Sequence, residues 1–207
     1  MTVLRVGLTG NLGAGKSAVG ELFRRWGARV VDADDVAREV AEPGQPALAA
    51  LVSEFGSEVL DAGGRLDRDA LRRRIAADPE ARSRLEAILH PPIVARIAER
   101  LADAEARGVE VAVAVVPLLF ETEMAAAFDA VVLVDAPEET RLARVVESGK
   151  MTDSEARAIA AAQAPAAEKR ARADAIVEND ADLRALERRA RAVWEELRAR
   201  AREGAGS

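Results

Sequence analysis

The stretch "VLRVGLTGNLGAGKSAVGELFRRWG" (Val3–Gly27) passes from a β-branched apolar run through a glycine-rich loop into an amphipathic helix closed by Gly27. Within it, Gly10-Asn11-Leu12-Gly13-Ala14-Gly15-Lys16-Ser17 fits the pattern G-x-x-x-x-G-K-[ST]. Glycine lets the backbone curl tightly enough for its N–H groups to converge on phosphate oxygens. The helix that starts near Lys16 adds its positive dipole end. Lys16 places a cation on the β/γ oxygens, and the Ser17 hydroxyl is the expected Mg²⁺ ligand. The loop, Asn11 to Ser17 and on to Ala18, is read as a site for a nucleoside triphosphate.

Outward from the loop, four more short apolar runs follow: "ARVVDA" (28–33), "VEVAVAVV" (109–116), "AVVLVDA" (130–136) and "AIVEN" (175–179). Several are continuously apolar rather than alternating, as strands covered on both faces of a parallel sheet are. Ala-, Leu-, Arg- and Glu-rich helical stretches separate them, which is the βαβ pattern of an open α/β sheet. The gap between the second and third runs is too long for one crossover helix. It is read as a helical insertion, about 41–101, with breaks expected at Pro79 and at Pro91–Pro92. A second helical excursion, about 141–173, reads as a lid. The core is then about 1–40, 102–140 and 174–200 of one domain. The last helix offers Leu183, Leu186, Ala190, Val193 and Leu197 at helical spacing, with Trp194 beside them.

Composition narrows the function. A chain of 207 residues with 49% hydrophobic residues is long enough to bury a real core. A formal net charge of -6 disfavours a nucleic-acid binder built on a broad basic surface. The absence of cysteine excludes disulfides and thiolate chemistry. No signal-like N-terminus and no spanning apolar run is present, so a cytoplasmic protein without membrane attachment is expected.

The second strand runs into "VVDADDVAREV" at the sheet edge where ligands bind in such folds. Asp34 is read as the carboxylate that accepts a proton from an attacking hydroxyl, and Asp32 as a metal ligand through water. If the strand continued that far, alternation would point the two the same way. Asp35 is read as the helix cap. The third strand ends in "VVPLLFE", where Leu118, Leu119 and Phe120 form either an apolar wall at the same edge or plain core, with Glu121 beside them. His90, the single histidine, sits in "ILHPP" at an expected helix end, where capping is the simpler role. Arg141, Arg144, Lys150, Lys169 and Arg170 are candidate lid cations or parts of solvated helix faces.

These motifs, in this order, resemble the dephospho-coenzyme A kinase family. The resemblance rests on "GLTGNLGAGKS", "VVDADDVAREV", "GRLDRDALRRRIAADPEARSRLEAILHP", "VPLLFE" and "EARAIAAAQAP…EKRARADAIVEND". It implies a P-loop kinase-type three-layer α/β fold with a five-stranded parallel sheet, a helical substrate insertion and a helical lid. It implies ATP and Mg²⁺, and transfer of the γ-phosphoryl group to the ribose 3′-hydroxyl of dephospho-coenzyme A. By motif matching, Asp34 takes the base position and Arg38 a substrate-side position. His90 and Leu118–Glu121 fall on the acceptor side, and Asn179 lies near the nucleotide base. Departures from the family pattern include Asn11 in place of a second glycine, Ala18 for threonine, and "VVESGKMT" without the usual lid arginine, so Arg141, Arg144 or Lys150 is expected to carry that charge. Other acceptors, such as a nucleoside monophosphate or a sugar acid, are the nearest alternatives. A GTPase-like switch would use "DAGG" (61–64), but no Asn-Lys-x-Asp signature accompanies it. A monomer or small homo-oligomer is expected.

Overall fold

The computed structural model describes residues 3–75, 78–149 and 151–204. Five parallel strands form one sheet in the order β2-β3-β1-β4-β5, with β1 Leu4–Thr9, β2 Arg29–Asp32, β3 Val111–Val115, β4 Ala130–Asp135 and β5 Ala175–Glu178. Every residue of β3 and β4 is buried. That is the physical reason their sequences are continuously apolar: neither face meets water.

Helix α1 (Lys16–Arg25) and the C-terminal α9 (Leu183–Gly204) supply the main apolar faces against the strands. Phe23 and Trp194 meet at 5.6 Å between ring centroids, and both are almost wholly buried. The α9 stripe is Ala185, Leu186, Ala190, Val193, Trp194, Leu197 and Ala201. Leu183, expected in that stripe, is instead 78% exposed as the first residue of the helix.

The chain divides into two compact units: one holds the sheet, from the N-terminus to Asp32 and from Leu101 onward, and the other is Ala33–Arg100. The second unit thus begins eight residues earlier than the insertion expected from 41. It contains α2 (Ala33–Glu39), α3 (Pro46–Phe55) and α4 (Arg68–Ile75), together with most of α5 (Pro79–Ala106). Its core gathers Leu51, Phe55, Val59 and Leu71, with Leu85, Ile88 and Leu89 of α5 packed against them. The "DAGG" segment is a tight turn in which Asp61 Oδ1 accepts from the N–H groups of Gly63 and Arg65.

The expected break at Pro79 is present, since α4 ends at Ile75 and α5 starts anew, but the one at Pro91–Pro92 does not occur. Pro79 opens α5, and the helix runs through Pro91 and Pro92 without ending. Two prolines remove the N–H groups that would reach the carbonyls of Ala87 and Ile88. Tertiary packing holds the helix regardless, because the turns before the prolines lie on the unit's apolar core. His90 therefore sits in mid-helix, and capping is not its role.

In the sheet unit, α6 (Glu138–Glu147), α7 (Asp153–Ala161) and α8 (Ala166–Arg172) follow β4 and lead into β5. They occupy the stretch read as a lid. A complete capping box at Thr152 and Glu155 starts α7.

Candidate nucleotide and acceptor site

The loop between β1 and α1 wraps closely around its neighbours. Gly13 has φ +75°, and a β-carbon there would lie 2.2 Å from the Arg141 carbonyl oxygen. Gly15 caps α1 at φ +99°, where a β-carbon would lie 2.3 Å from the Asn179 amide nitrogen. Both positions therefore admit only glycine: the left-handed backbone and the close approach each exclude a side chain. The Lys16 ammonium folds back over the loop, donating to the carbonyls of Gly10 (2.8 Å) and Asn11 (3.2 Å). Ser17 and Ala18 are exposed in the first turn of α1, so the Ser17 hydroxyl is accessible from solvent.

Residues from outside the loop brace it. Asn179, buried just after β5, donates from Nδ2 to the Ala14 carbonyl at 2.8 Å. Arg141 is 2% exposed and donates to the carbonyls of Leu12 (3.0 Å) and Ala136 (3.1 Å). A guanidinium so placed holds the loop from behind, which differs from the lid cation expected at Arg141. Lys150 lies outside the described residues.

Arg144, one turn further along α6, is placed differently. It lines a groove of about 680 Å³ with Ala18, Asn179, Asp182, Leu183 and Arg184. Its Nη1 is buried with no hydrogen-bond partner among the described residues. The groove starts beside the first turn of α1, and the exposed Leu183 forms part of its apolar wall.

The end of β3 resolves the ambiguity in "PLLFE". Leu119 and Phe120 are core, Leu119 filling the space left by the missing side chain of Gly7. Arg172 lies over the Phe120 ring at 4.6 Å. Leu118, at 37% exposed, is the one leucine of the pair that meets solvent. Glu121 pairs with Lys169 of α8 at 2.7 Å and accepts from the Ala164 N–H at 3.0 Å. Burial works against its ionisation, but the Lys169 ammonium and the Ala164 N–H outweigh it and hold Glu121 below the usual carboxylate range. Lys169 is fully buried, and Arg170 is paired with Glu178 and Asp135. Neither is a solvated lid cation.

Asp32 closes β2, half-buried and in register with Val115. The strand stops there, and Ala33 already begins α2, so Asp34 stands in a helical first turn and no strand alternation relates it to Asp32. Asp35 lies in the same turn and pairs with Arg38 rather than capping the helix. Within the second unit, Asp34 and Arg38 are both exposed. Arg68 joins their cluster, donating to the Ala37 carbonyl at 3.3 Å. Burial and the Arg38 guanidinium hold Arg68 below the usual arginine range, with Asp34 pulling the other way. The sequence marks Arg68 only weakly. Its signal was the "LDR" of the insertion, which reads as an ordinary helix start. His90 is half-buried in α5, and its Nε2 has no hydrogen-bond partner among the described residues. Glu39 anchors α2 by ion pairs to Arg96 and Arg100 of α5.

A glycine-rich loop between the central strand and the following helix of a parallel 2-3-1-4-5 sheet defines the class: a P-loop kinase fold. Solved structures agree. A crystal structure from Thermus thermophilus superposes with a TM-score of 0.82 at 38% identity, covering 95% of this chain and 99% of that one. A shikimate kinase from Bacteroides thetaiotaomicron, at 16% identity and TM-score 0.51, shares the fold alone. The model of the dephospho-CoA kinase family matches residues 4–185, and this chain belongs to that family. Relatives named dephospho-CoA kinase from Frankia casuarinae and Thermobifida fusca are 46% and 44% identical over 94% and 96% of this chain, and over 84% and 98% of their own lengths. No helix among the described residues is long and apolar enough to cross a membrane.

Proposed function

We propose that this chain transfers the γ-phosphoryl group of ATP to the ribose 3′-hydroxyl of dephospho-coenzyme A, yielding coenzyme A and ADP. The observation that carries the reading is the phosphate loop itself, with Gly13 and Gly15 in left-handed conformations and Lys16 folded over its carbonyls, in a chain of this family.

Asn11 to Ala18 cradle the triphosphate, and the groove lined by Arg144, Asn179 and Leu183 takes the base end. Lys16 leaves its carbonyl partners for the β/γ oxygens, a contact between two ionised groups that is stronger than the ammonium–carbonyl bonds it replaces. Arg144, whose Nη1 is buried with no hydrogen-bond partner among the described residues, lines that groove and offers its charge to the nucleotide there. Asp34 orients the acceptor hydroxyl and takes its proton. Arg38 and Arg68 bring positive charge to the acceptor's anionic part, and His90 and Leu118 belong to the acceptor side. In this reading Ala33–Arg100 is the acceptor-binding unit and the α6–α8 stretch is the lid.

The donor set suits Mg²⁺: the Ser17 hydroxyl directly and Asp32 through water, for a cation that keeps several of its waters and arrives with phosphates. When bound, Mg²⁺ neutralises charge on the β and γ oxygens. We place the enzyme in the cytoplasm, as a monomer or small homo-oligomer.

The test is ADP release from ATP and Mg²⁺ with dephospho-coenzyme A, adenosine monophosphate or a sugar acid as acceptor. A large increase with dephospho-coenzyme A alone, with coenzyme A as product, is expected. Release driven by another acceptor, or by none, would overturn the assignment.

A further inference from the structure

The loop's first half, Gly10–Leu12, is held by a turn far away in sequence. Leu12 donates its N–H to Gln163 Oε1 at 2.8 Å. Asn11, buried at 6% exposure, donates from Nδ2 to the Ala164 carbonyl at 3.3 Å. The Ala164 N–H in turn donates to Glu121 Oε1 at 3.0 Å, and Lys169 Nζ lies 2.7 Å from the same oxygen. Both polar groups of the Ala164 peptide are therefore spent, one on the phosphate loop and one on the carboxylate after β3. The Leu12 peptide is gripped likewise, its N–H by Gln163 and its C=O by Arg141.

From this arrangement we infer that Gln163 is a positioning residue for the phosphate loop, and that the Gln163–Ala164 turn is a clasp holding Asn11 and Leu12 against Glu121. The inference rests on the loop's binding ATP, as proposed above. Gln163 does not touch phosphate: its acceptor oxygen serves a loop N–H that would otherwise be unpaired in a partly buried place. Asn11 adds a second grip to the clasp, because its side-chain amide reaches the Ala164 carbonyl. The orientation of the Asn11 amide follows from its partner, since a carbonyl can only accept.

The clasp acts on one end of the ligand. The half of the loop it holds is the half whose carbonyls receive the Lys16 ammonium, and Lys16 serves the β/γ oxygens. Asn179 holds the other half through Ala14, independently of the turn. Loosening the clasp should therefore weaken recognition of the third phosphate more than that of the first two.

The test is equilibrium binding of ATP and of ADP, each with Mg²⁺ and without acceptor, to wild type, Gln163→Met, Asn11→Gly and the double variant. Methionine keeps the length of the side chain and removes the acceptor. Loss of the hydrogen bond should weaken ATP binding about tenfold and change ADP binding less than twofold. The double variant should lose little more than either single one, because both cut the same clasp. Equal losses for ATP and ADP, or no loss in either single variant, would overturn the inference. Should Gln163→Met fold poorly, Asn11→Gly carries the same ATP-against-ADP comparison alone. A wild type that binds neither nucleotide would instead strike at the proposed function.

Discussion

Asp34 and Lys16 divide the chemistry between two different physical tasks. In the proposed reaction Lys16 is electrostatic: its ammonium sits among loop carbonyls, which phosphate oxygens would replace. Asp34 stands exposed in the first turn of α2, close enough to Arg38 and Arg68 to take part in their electrostatics. In the proposed reaction that carboxylate serves the acceptor, and ATP should hardly feel its loss. Asp34→Ala is therefore expected to bind ATP nearly as wild type does while phosphoryl transfer falls at least about a hundredfold, within the usual worth of general-base catalysis. Single-turnover transfer and nucleotide titration on the same variant check both halves. Unchanged turnover would remove Asp34 from the mechanism.

At the scale of elements, α5 is where local rules and packing disagree. An interior proline costs a helix about 3 kcal/mol, through the lost N–H and the clash with the preceding turn. Two in succession should have ended it. Helix α5 continues because Leu85, Ile88 and Leu89 on one side of the prolines and Ile97 and Leu101 on the other are committed to packing. Pro91 itself is exposed and contributes little of that burial. Pro91→Ala is accordingly expected to raise stability by about 1–3 kcal/mol as a backbone hydrogen bond to Ala87 is restored. Urea denaturation reads the change. A lower midpoint would mean that the bend imposed by proline is itself needed for packing.

For the molecule as a whole, ion pairs between distant parts of the chain tie stability to pH. Asp129 receives the Arg5 backbone N–H at 2.8 Å and its guanidinium, joining β1 to the start of β4. Partial burial disfavours its charge, but the Arg5 contacts outweigh it and lower its pKa, as Lys169 does for Glu121. A carboxylate whose folded value lies below its unfolded one binds more protons when unfolded. Its contribution is complete above the ordinary carboxylate value, about 4, and is lost as pH falls through the folded value. Asp129→Asn should therefore melt below wild type at pH 7, and the gap should narrow below about pH 4 as the wild-type Asp129 carboxyl becomes neutral. Thermal unfolding across pH 7 to 2.5 checks it. A gap that does not change with pH would assign the effect of Asp129 to packing.

The sequence by itself determined whatever depends on local chemistry. The pattern Gly10–Ser17 is legible because a backbone that must approach phosphate admits few residue types, and the structure places Gly13 and Gly15 where any β-carbon would collide. The five strands are legible because burial on both faces leaves no polar alternation, and each was found within a residue or two of its expected ends. Tertiary structure alone decided which side chains brace the site. Arg141 and Arg144 are one turn apart and indistinguishable in sequence, yet one is clamped to Leu12 and the other lines the groove beside α1. Gln163 lies 151 positions from Leu12, and no local pattern announces a bond between them. Pro91 and Pro92 carry a strong local signal for a helix end, and it was overruled by apolar surface contributed from α3 and α4. Periodicity and turn chemistry are properties of neighbouring residues, whereas a hydrogen-bond partner or a buried face is supplied by segments brought together only by folding.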